Sequence, residues 1–190
     1  MRRLLVLDLD ETLIHAQREI PLQFPDFIFD GFYVFFRPNY KDFLKECGKY
    51  YDIGIWTAST APYAHPIVTE LFRGLPPPVF LFSREKCSQR IDWKNKEMFY
   101  VKRLKKVRKL GYSLDTTLIV DDRPETFQEN YGNGIEIKPY YGEEEDDELF
   151  WLTQYLILLN EETDVRLTDK TFWKKLSSAV LTVRMFELQI

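Results

Sequence analysis

Cysteine, histidine, long apolar runs and an excess of positive charge are what this sequence lacks. Two cysteines, Cys47 and Cys87, stand among 190 residues. They imply no disulfide framework, so the expected setting is intracellular, nuclear or cytoplasmic. Two histidines, His15 and His65, are not grouped with a cysteine, which argues against zinc. No apolar run approaches the ~20 residues of a membrane span, so no membrane association is expected. The first residues, Met1 to Leu7, start like a secretion signal. They run into Asp8, Asp10 and Glu11 with no small-residue cleavage site, and read better as a buried strand. The net charge is -4, whereas proteins that hold nucleic-acid backbones are usually basic, so no direct nucleic-acid partner is expected.

What is present is an ordinary globular balance, 45% hydrophobic and 29% charged, with aromatics at 16%. The aromatics belong to a core, to a cleft, or to both. The length suits one domain. Leu4 to Leu7 is a short unbroken apolar run, as in a parallel strand buried on both faces. Ile20 to Phe36 alternates around Asp30-Gly31, the signal of a hairpin, and reads as a small β flap. A helix is expected over Tyr40 to Cys47 and another from Pro62 toward Phe72. Further strands are expected at Asp52 to Trp56, Val79 to Phe82, Thr117 to Val120 and Gly134 to Ile137. Ser83 to Asn95 reads as polar and irregular. Lys96 to Leu110 reads as a helix with Tyr100, Leu104 and Val107 on one face. An acidic stretch, Glu143 to Glu148, leads a helix that runs through Leu159. Thr168-Asp169 caps a last helix, Thr171 to about Glu187, with a stripe of Phe172, Leu176, Ala179, Val180 and Val183. Strands alternating with helices predict an α/β fold, a Rossmann-like doubly wound parallel sheet with a small β flap inserted after the first strand.

In such a sheet ligands bind at the carboxyl ends of the strands. Three predicted strands end in reactive residues: Asp8-Leu9-Asp10-Glu11-Thr12, Thr57-Ala58-Ser59 and Asp121-Asp122. One such end could be a capped turn; three on one rim describe a site. Several carboxylates brought together are costly unless protonated or neutralised by a cation. An all-oxygen donor set suits Mg2+. A lysine such as Lys102 would neutralise charge on a phosphoryl group. Its neighbours Arg103, Lys105, Lys106, Arg108 and Lys109 read as a solvated helix face. Ser59 reads as a cap of the following helix.

Asp8-Leu9-Asp10-Glu11-Thr12-Leu13-Ile14-His15 resembles the first motif of the haloacid dehalogenase superfamily. More narrowly it resembles the small carboxy-terminal-domain phosphatases, the branch related to NLI-interacting factor. Trp56-Thr57-Ala58-Ser59, Phe82-Ser83-Arg84-Glu85, Tyr100-Val101-Lys102 and Val120-Asp121-Asp122-Arg123-Pro124 resemble the later motifs, in the family's order. The resemblance implies a magnesium-dependent phosphatase. Asp8 would be the nucleophile that forms an aspartyl-phosphate, and Asp10 the general acid and base. Asp8, Asp10 (through its backbone carbonyl) and Asp122 would hold Mg2+, with Asp121 an acid close behind them. Thr57 and Lys102 would hold phosphoryl oxygens, Thr12 would join them by bracing the first loop, and Arg84 would face the substrate. Three features depart from the family's pattern. The flap is short, with Arg18 where an aromatic is usual. The stretch from Arg84 to Lys102 is long. The fourth motif carries Asp-Asp.

The implied partner is a phosphorylated protein or peptide, phosphoserine or phosphothreonine, with proline following the phosphoserine. A phosphatase of small metabolites and an inactive binding module on the same fold are the alternatives. Residues 1–160 are expected to form the catalytic domain and 161–190 a C-terminal helical extension packed on it.

Overall fold

A computed structural model describes residues 3–93 and 96–179. Its centre is a five-stranded sheet in which every neighbouring pair is parallel, in the order β10-β9-β1-β5-β6. These strands are β1 (Arg3–Leu7), β5 (Tyr51–Trp56), β6 (Leu81–Phe82), β9 (Thr117–Asp121) and β10 (Gly134–Glu136). The apolar run of β1 is central because both its faces are buried. Leu5 and Leu7 join Ile53, Ile55, Leu118 and Val120 on one side, under helices α1 (Tyr40–Cys47), α2 (Ala61–Leu71) and α3 (Glu148–Leu159). Leu4 and Val6 join Trp56 and Ile119 on the other, under the 3-10 turns Leu104–Leu110 and Pro124–Asn133. Each such side chain removed from water contributes about 1.5–3 kcal/mol. After β1 the chain builds outward through β5 and β6, then returns to build β9 and β10 on the opposite side. The reversal falls at β1, and that is where such sheets bind ligands.

The expected flap is present and gains a strand. β2 (Ile14–Gln17), β3 (Phe27–Phe29) and β4 (Phe32–Phe36) form an antiparallel sheet in the order β2-β4-β3. Asp30 and Gly31 both have positive φ, 47° and 75°, as a type I′ hairpin turn requires.

Two expectations are corrected. Lys96 to Leu110 is not a helix: β8 (Glu97–Val101) pairs antiparallel with β7 (Ser88–Asp92), and only Leu104–Leu110 winds, as 3-10 turns. The aromatic and β-branched run Phe99-Tyr100-Val101 favours a strand, and its cross-strand partner lies outside any local window. The stretch read as irregular is that partner. At the C-terminus residues 173–179 are helical, and Asp169 receives the Thr171 backbone N–H as expected of a cap. The inward positions, however, are Trp173 and Ser177, while Phe172 and Leu176 are exposed. The Trp173 indole donates to the Glu136 carbonyl at 2.9 Å, which ties this segment to edge strand β10. Val180, Val183 and the remaining stretch to Glu187 lie outside the described residues.

Candidate active site

Parallel pairing brings the three polar strand ends together. Asp8 follows β1 and donates its backbone N–H to Val120 O at 3.0 Å. Thr57 follows β5, Asp121 ends β9 and Asp122 follows it. Arg84 follows β6, held by its backbone N–H to Ser59 O at 2.9 Å. Lys102 follows β8. With Asp10, Glu11 and Tyr100 these residues line one cavity of about 430 Å3. The sequence-predicted residues are thus assembled, with Thr12 immediately behind the wall.

Asp8 is nearly buried, and Lys102 and Asp121 are buried. The Lys102 ammonium donates to the carboxylates of Asp8 and Asp121, the latter at 2.7 Å. Asp121 also accepts from the Thr126 hydroxyl at 2.6 Å and the Arg123 backbone N–H at 2.9 Å. It is a strut that aims the lysine. The other cations of the basic run turn outward: Lys105, Arg108 and Lys109 are exposed, and Arg103 pairs with Glu129. The Thr12 hydroxyl donates to Asp122 at 3.3 Å, bracing the first loop against the fourth motif.

Asp10 has a different environment. Three hydroxyls donate to its carboxylate: Tyr63 at 2.6 Å, Ser59 at 2.7 Å and Thr57 at 3.3 Å. Sequence reasoning passed over Tyr63, which has no signal beyond its place in the first turn of α2. It also gave Ser59 a capping role that the structure corrects. Thr60 occupies the cap of α2 without a side-chain bond, and the Ser59 hydroxyl is turned to Asp10. Glu11 stands at φ 55° in the tight turn after Asp10, a conformation that non-glycine residues adopt at a cost. His15 faces Glu11 at 3.4 Å, and His65 is on the surface.

The electrostatics show too little positive charge for so many carboxylates. Burial pushes the Asp8 carboxyl well above its usual range; the Lys102 ammonium opposes this, and Asp121 and Asp10 reinforce it. Burial and the charge of Asp121 raise Asp122 to about 6. Burial, Asp10 and Asp122 raise Glu11 to about 7. Burial by itself would lower Lys102, but the carboxylates of Asp121 and Asp8 overcome that and hold it above the normal lysine range. Burial, then the charge of Asp10, raises the Tyr63 phenol, which remains a donor. Lys102 and the exposed Arg84 and Arg123 are the cations against the five acids of this cavity, which leaves the cluster short of positive charge. Asp8, Asp121 and Asp122 each offer an oxygen within 4.8 Å of the others. An all-carboxylate set of that kind fits a hard divalent ion.

The family described as NLI interacting factor-like phosphatase matches residues 3–166. A Dictyostelium discoideum protein named "Probable C-terminal domain small phosphatase" is 37% identical over 171 residues, 86% of this chain and 52% of that protein. The human CTD small phosphatase-like protein is 32% identical over 172 residues, 86% of this chain and 58% of that one. The chain therefore spans about half the length of the curated relatives it matches. Among solved structures, the fission yeast RNA polymerase II CTD phosphatase Fcp1 bound to beryllium fluoride superposes with a TM-score of 0.56. The match covers 99% of this chain and 51% of that one, at 19% identity, a likeness of fold. The doubly wound sheet, the ordered motifs and the match over residues 3–166 lead to one conclusion: this chain belongs to the NLI interacting factor-like phosphatase family.

Proposed function

We propose that the protein is a magnesium-dependent phosphatase of phosphoserine or phosphothreonine proteins that works through an aspartyl-phosphate on Asp8. The observation that carries this reading is the pairing of a buried carboxylate, Asp8, with a buried ammonium, Lys102, beside a second carboxylate, Asp10, held by three hydroxyls. Asp8 attacks phosphorus while the bond to the leaving oxygen breaks. Asp10 gives that oxygen a proton, then takes one from the water that hydrolyses the acyl-phosphate, releasing inorganic phosphate. Lys102 and Thr57 hold the phosphoryl oxygens as negative charge shifts among them. Thr12 and Asp121 fix Asp122 and Lys102 in place. Arg84 faces the substrate. Asp8, Asp122 and the Asp10 backbone carbonyl would hold Mg2+, with Asp121 behind them. When bound, that ion supplies positive charge to the phosphoryl oxygens.

The cavity is open, which suits a peptide better than an enclosed metabolite, and the flap rings beside it suit a proline next to the phosphoserine. The phosphorylated partners implied by the names of the relatives point the same way. We assign residues 1–160 to the catalytic domain and 161–190 to an extension of it. The Trp173 bond to Glu136 and the Lys170 bond to Gly132 support this. Two free cysteines support an intracellular setting. Among the described residues no helix is long and apolar enough to cross a membrane.

The test is hydrolysis of an aryl phosphate and of a phosphoserine peptide. Both should require Mg2+ and stop with a chelator. Asp8→Asn should abolish turnover of both, because an amide cannot form the acyl-phosphate. Full activity in chelator would remove the metal assignment. Turnover by Asp8→Asn would remove the nucleophile.

A further inference from the structure

A cavity of about 520 Å3 opens between the flap and the start of α2. It shares Ser59 and Arg84 with the catalytic cavity, and Arg18, Phe32 and Tyr63 form much of the remaining wall. Its two arginines are held in a similar way. Arg18 lies 4.0 Å from the centre of the Phe32 ring and donates to the Asp30 carbonyl at 3.4 Å. Arg84 lies 5.3 Å from the centre of the Tyr100 ring and donates to the Ala58 carbonyl at 2.7 Å.

Neither guanidinium has a carboxylate partner among the described residues. Six other arginines do: Arg37, Arg73, Arg90, Arg103, Arg123 and Arg166; Arg3, on two backbone carbonyls, and the exposed Arg108 do not. Of the four without one, Arg18 and Arg84 line the same cavity. Each is oriented by a ring and a carbonyl, which fix the planar fork without neutralising it. Asp30 is the single carboxylate of the lining, and it makes no ion pair with either arginine. The first turn of α2, at the same wall, contains no acidic residue, so its positive end adds to the field. An anion in this cavity would neutralise positive charge on its wall and accept guanidinium N–H groups.

We propose that this cavity is a second anion subsite. It takes a phosphorylated or acidic side chain of the substrate, a few residues from the phosphoserine or phosphothreonine being hydrolysed. This rests on the peptide-phosphatase reading above and adds what the peptide carries. An extended chain advances about 3.3 Å per residue, so a neighbour one to three positions away can reach from the shared wall into this cavity.

The experiment compares kcat/KM for phosphoserine peptides that differ at one flanking position, scanned from one to three residues on either side. That position holds alanine, lysine, glutamate or a second phosphoserine. At the best position, glutamate or phosphoserine should exceed alanine by about tenfold, mainly through KM, with lysine lowest and the advantage falling as salt rises. A gain with phosphoserine alone assigns the subsite to a phosphate dianion; an equal gain with glutamate shows that a carboxylate suffices. Arg18→Ala should bring the anionic-to-alanine ratio to about two or below, and Arg18→Lys should restore part of it. Peptide turnover that is the same within twofold across the wild-type panel would overturn the inference and leave the phosphatase reading standing. A wild-type ratio retained by Arg18→Ala would overturn it too. Hydrolysis of aryl phosphate with no turnover of any peptide would overturn both.

Discussion

Asp8 and Asp10 are two residues apart and have different surroundings, and the roles proposed for them can be tested separately. Asp8 is paired with an ammonium and faces two other carboxylates; Asp10 is gripped by hydroxyls. Asp10→Asn should lower kcat for an alkyl phosphate by roughly a hundred- to ten-thousand-fold. It should cost much less with an aryl phosphate, whose leaving group needs no proton. Tyr63→Phe tests the grip. Losing one hydrogen bond to a charged group should cost roughly tenfold in kcat on the alkyl substrate and little on the aryl one. Rates that fall equally on both substrates would show a structural role instead. That Asp8, Asp10, Asp122 and Lys102 would meet in one cavity was legible from their types and order. Tyr63 and Ser59 were not, because a tyrosine or serine near a helix start has many ordinary uses, and only the approach of α2 to the first loop aims them at Asp10.

At the scale of elements, the sheet depends on residues that let neighbours come close. Gly54 in β5 lies under the ring of Phe80: a Cβ there would stand 2.3–2.8 Å from three ring atoms. Gly54→Ala should therefore destabilise the fold by about 1–3 kcal/mol, read as a lowered midpoint in urea with an unchanged slope. Gly74→Ala, where a Cβ meets nothing within 4 Å but φ is 80°, makes a strain-only comparison of about 1 kcal/mol. The β7–β8 hairpin was the element least legible in sequence. Its polar first strand, Ser88 to Asp92, lacks clean alternation, and the basic run after Val101 imitates an amphipathic helix. Pairing of Ser88 with Val101 through to Asp92 with Glu97, a contact between segments, is what selects the strand.

At the scale of the whole molecule, one arginine joins segments more than a hundred residues apart. Arg37 is fully buried and forks onto Asp146 at 2.7 and 2.8 Å. It also donates to the carbonyls of Thr12 at 3.1 Å and Lys138 at 2.8 Å. It thereby fixes the first catalytic loop, the end of the flap and the start of α3 relative to one another. Asp146→Ala leaves that guanidinium buried and unpaired, which should cost about 3 kcal/mol and lower Tm by roughly 10 °C. Glu46→Ala, which breaks an exposed pair with Lys49, should move Tm by no more than about 2 °C. The acidic stretch Glu143 to Glu148 had read only as the lead into a helix. Asp146, inside it, is the anchor of Arg37, 109 residues away in sequence.

The sequence by itself determined the fold class, the flap turn at Asp30-Gly31 and the acidic strand ends that meet in one cavity. These rest on local signals: apolar runs, turn residues, and acids placed directly after strands. Tertiary structure decided whatever depends on a distant partner. It made a strand of Glu97 to Val101, turned Trp173 rather than Phe172 inward, and aimed Tyr63 and Ser59 at Asp10. It also buried Lys102 between Asp8 and Asp121 while Lys105, Arg108 and Lys109 of its basic run stayed exposed. The physical reason is the same in each case. A side chain's charge, hydroxyl or ring is written in the sequence, but the group that satisfies it is supplied by whichever segment the sheet brings alongside.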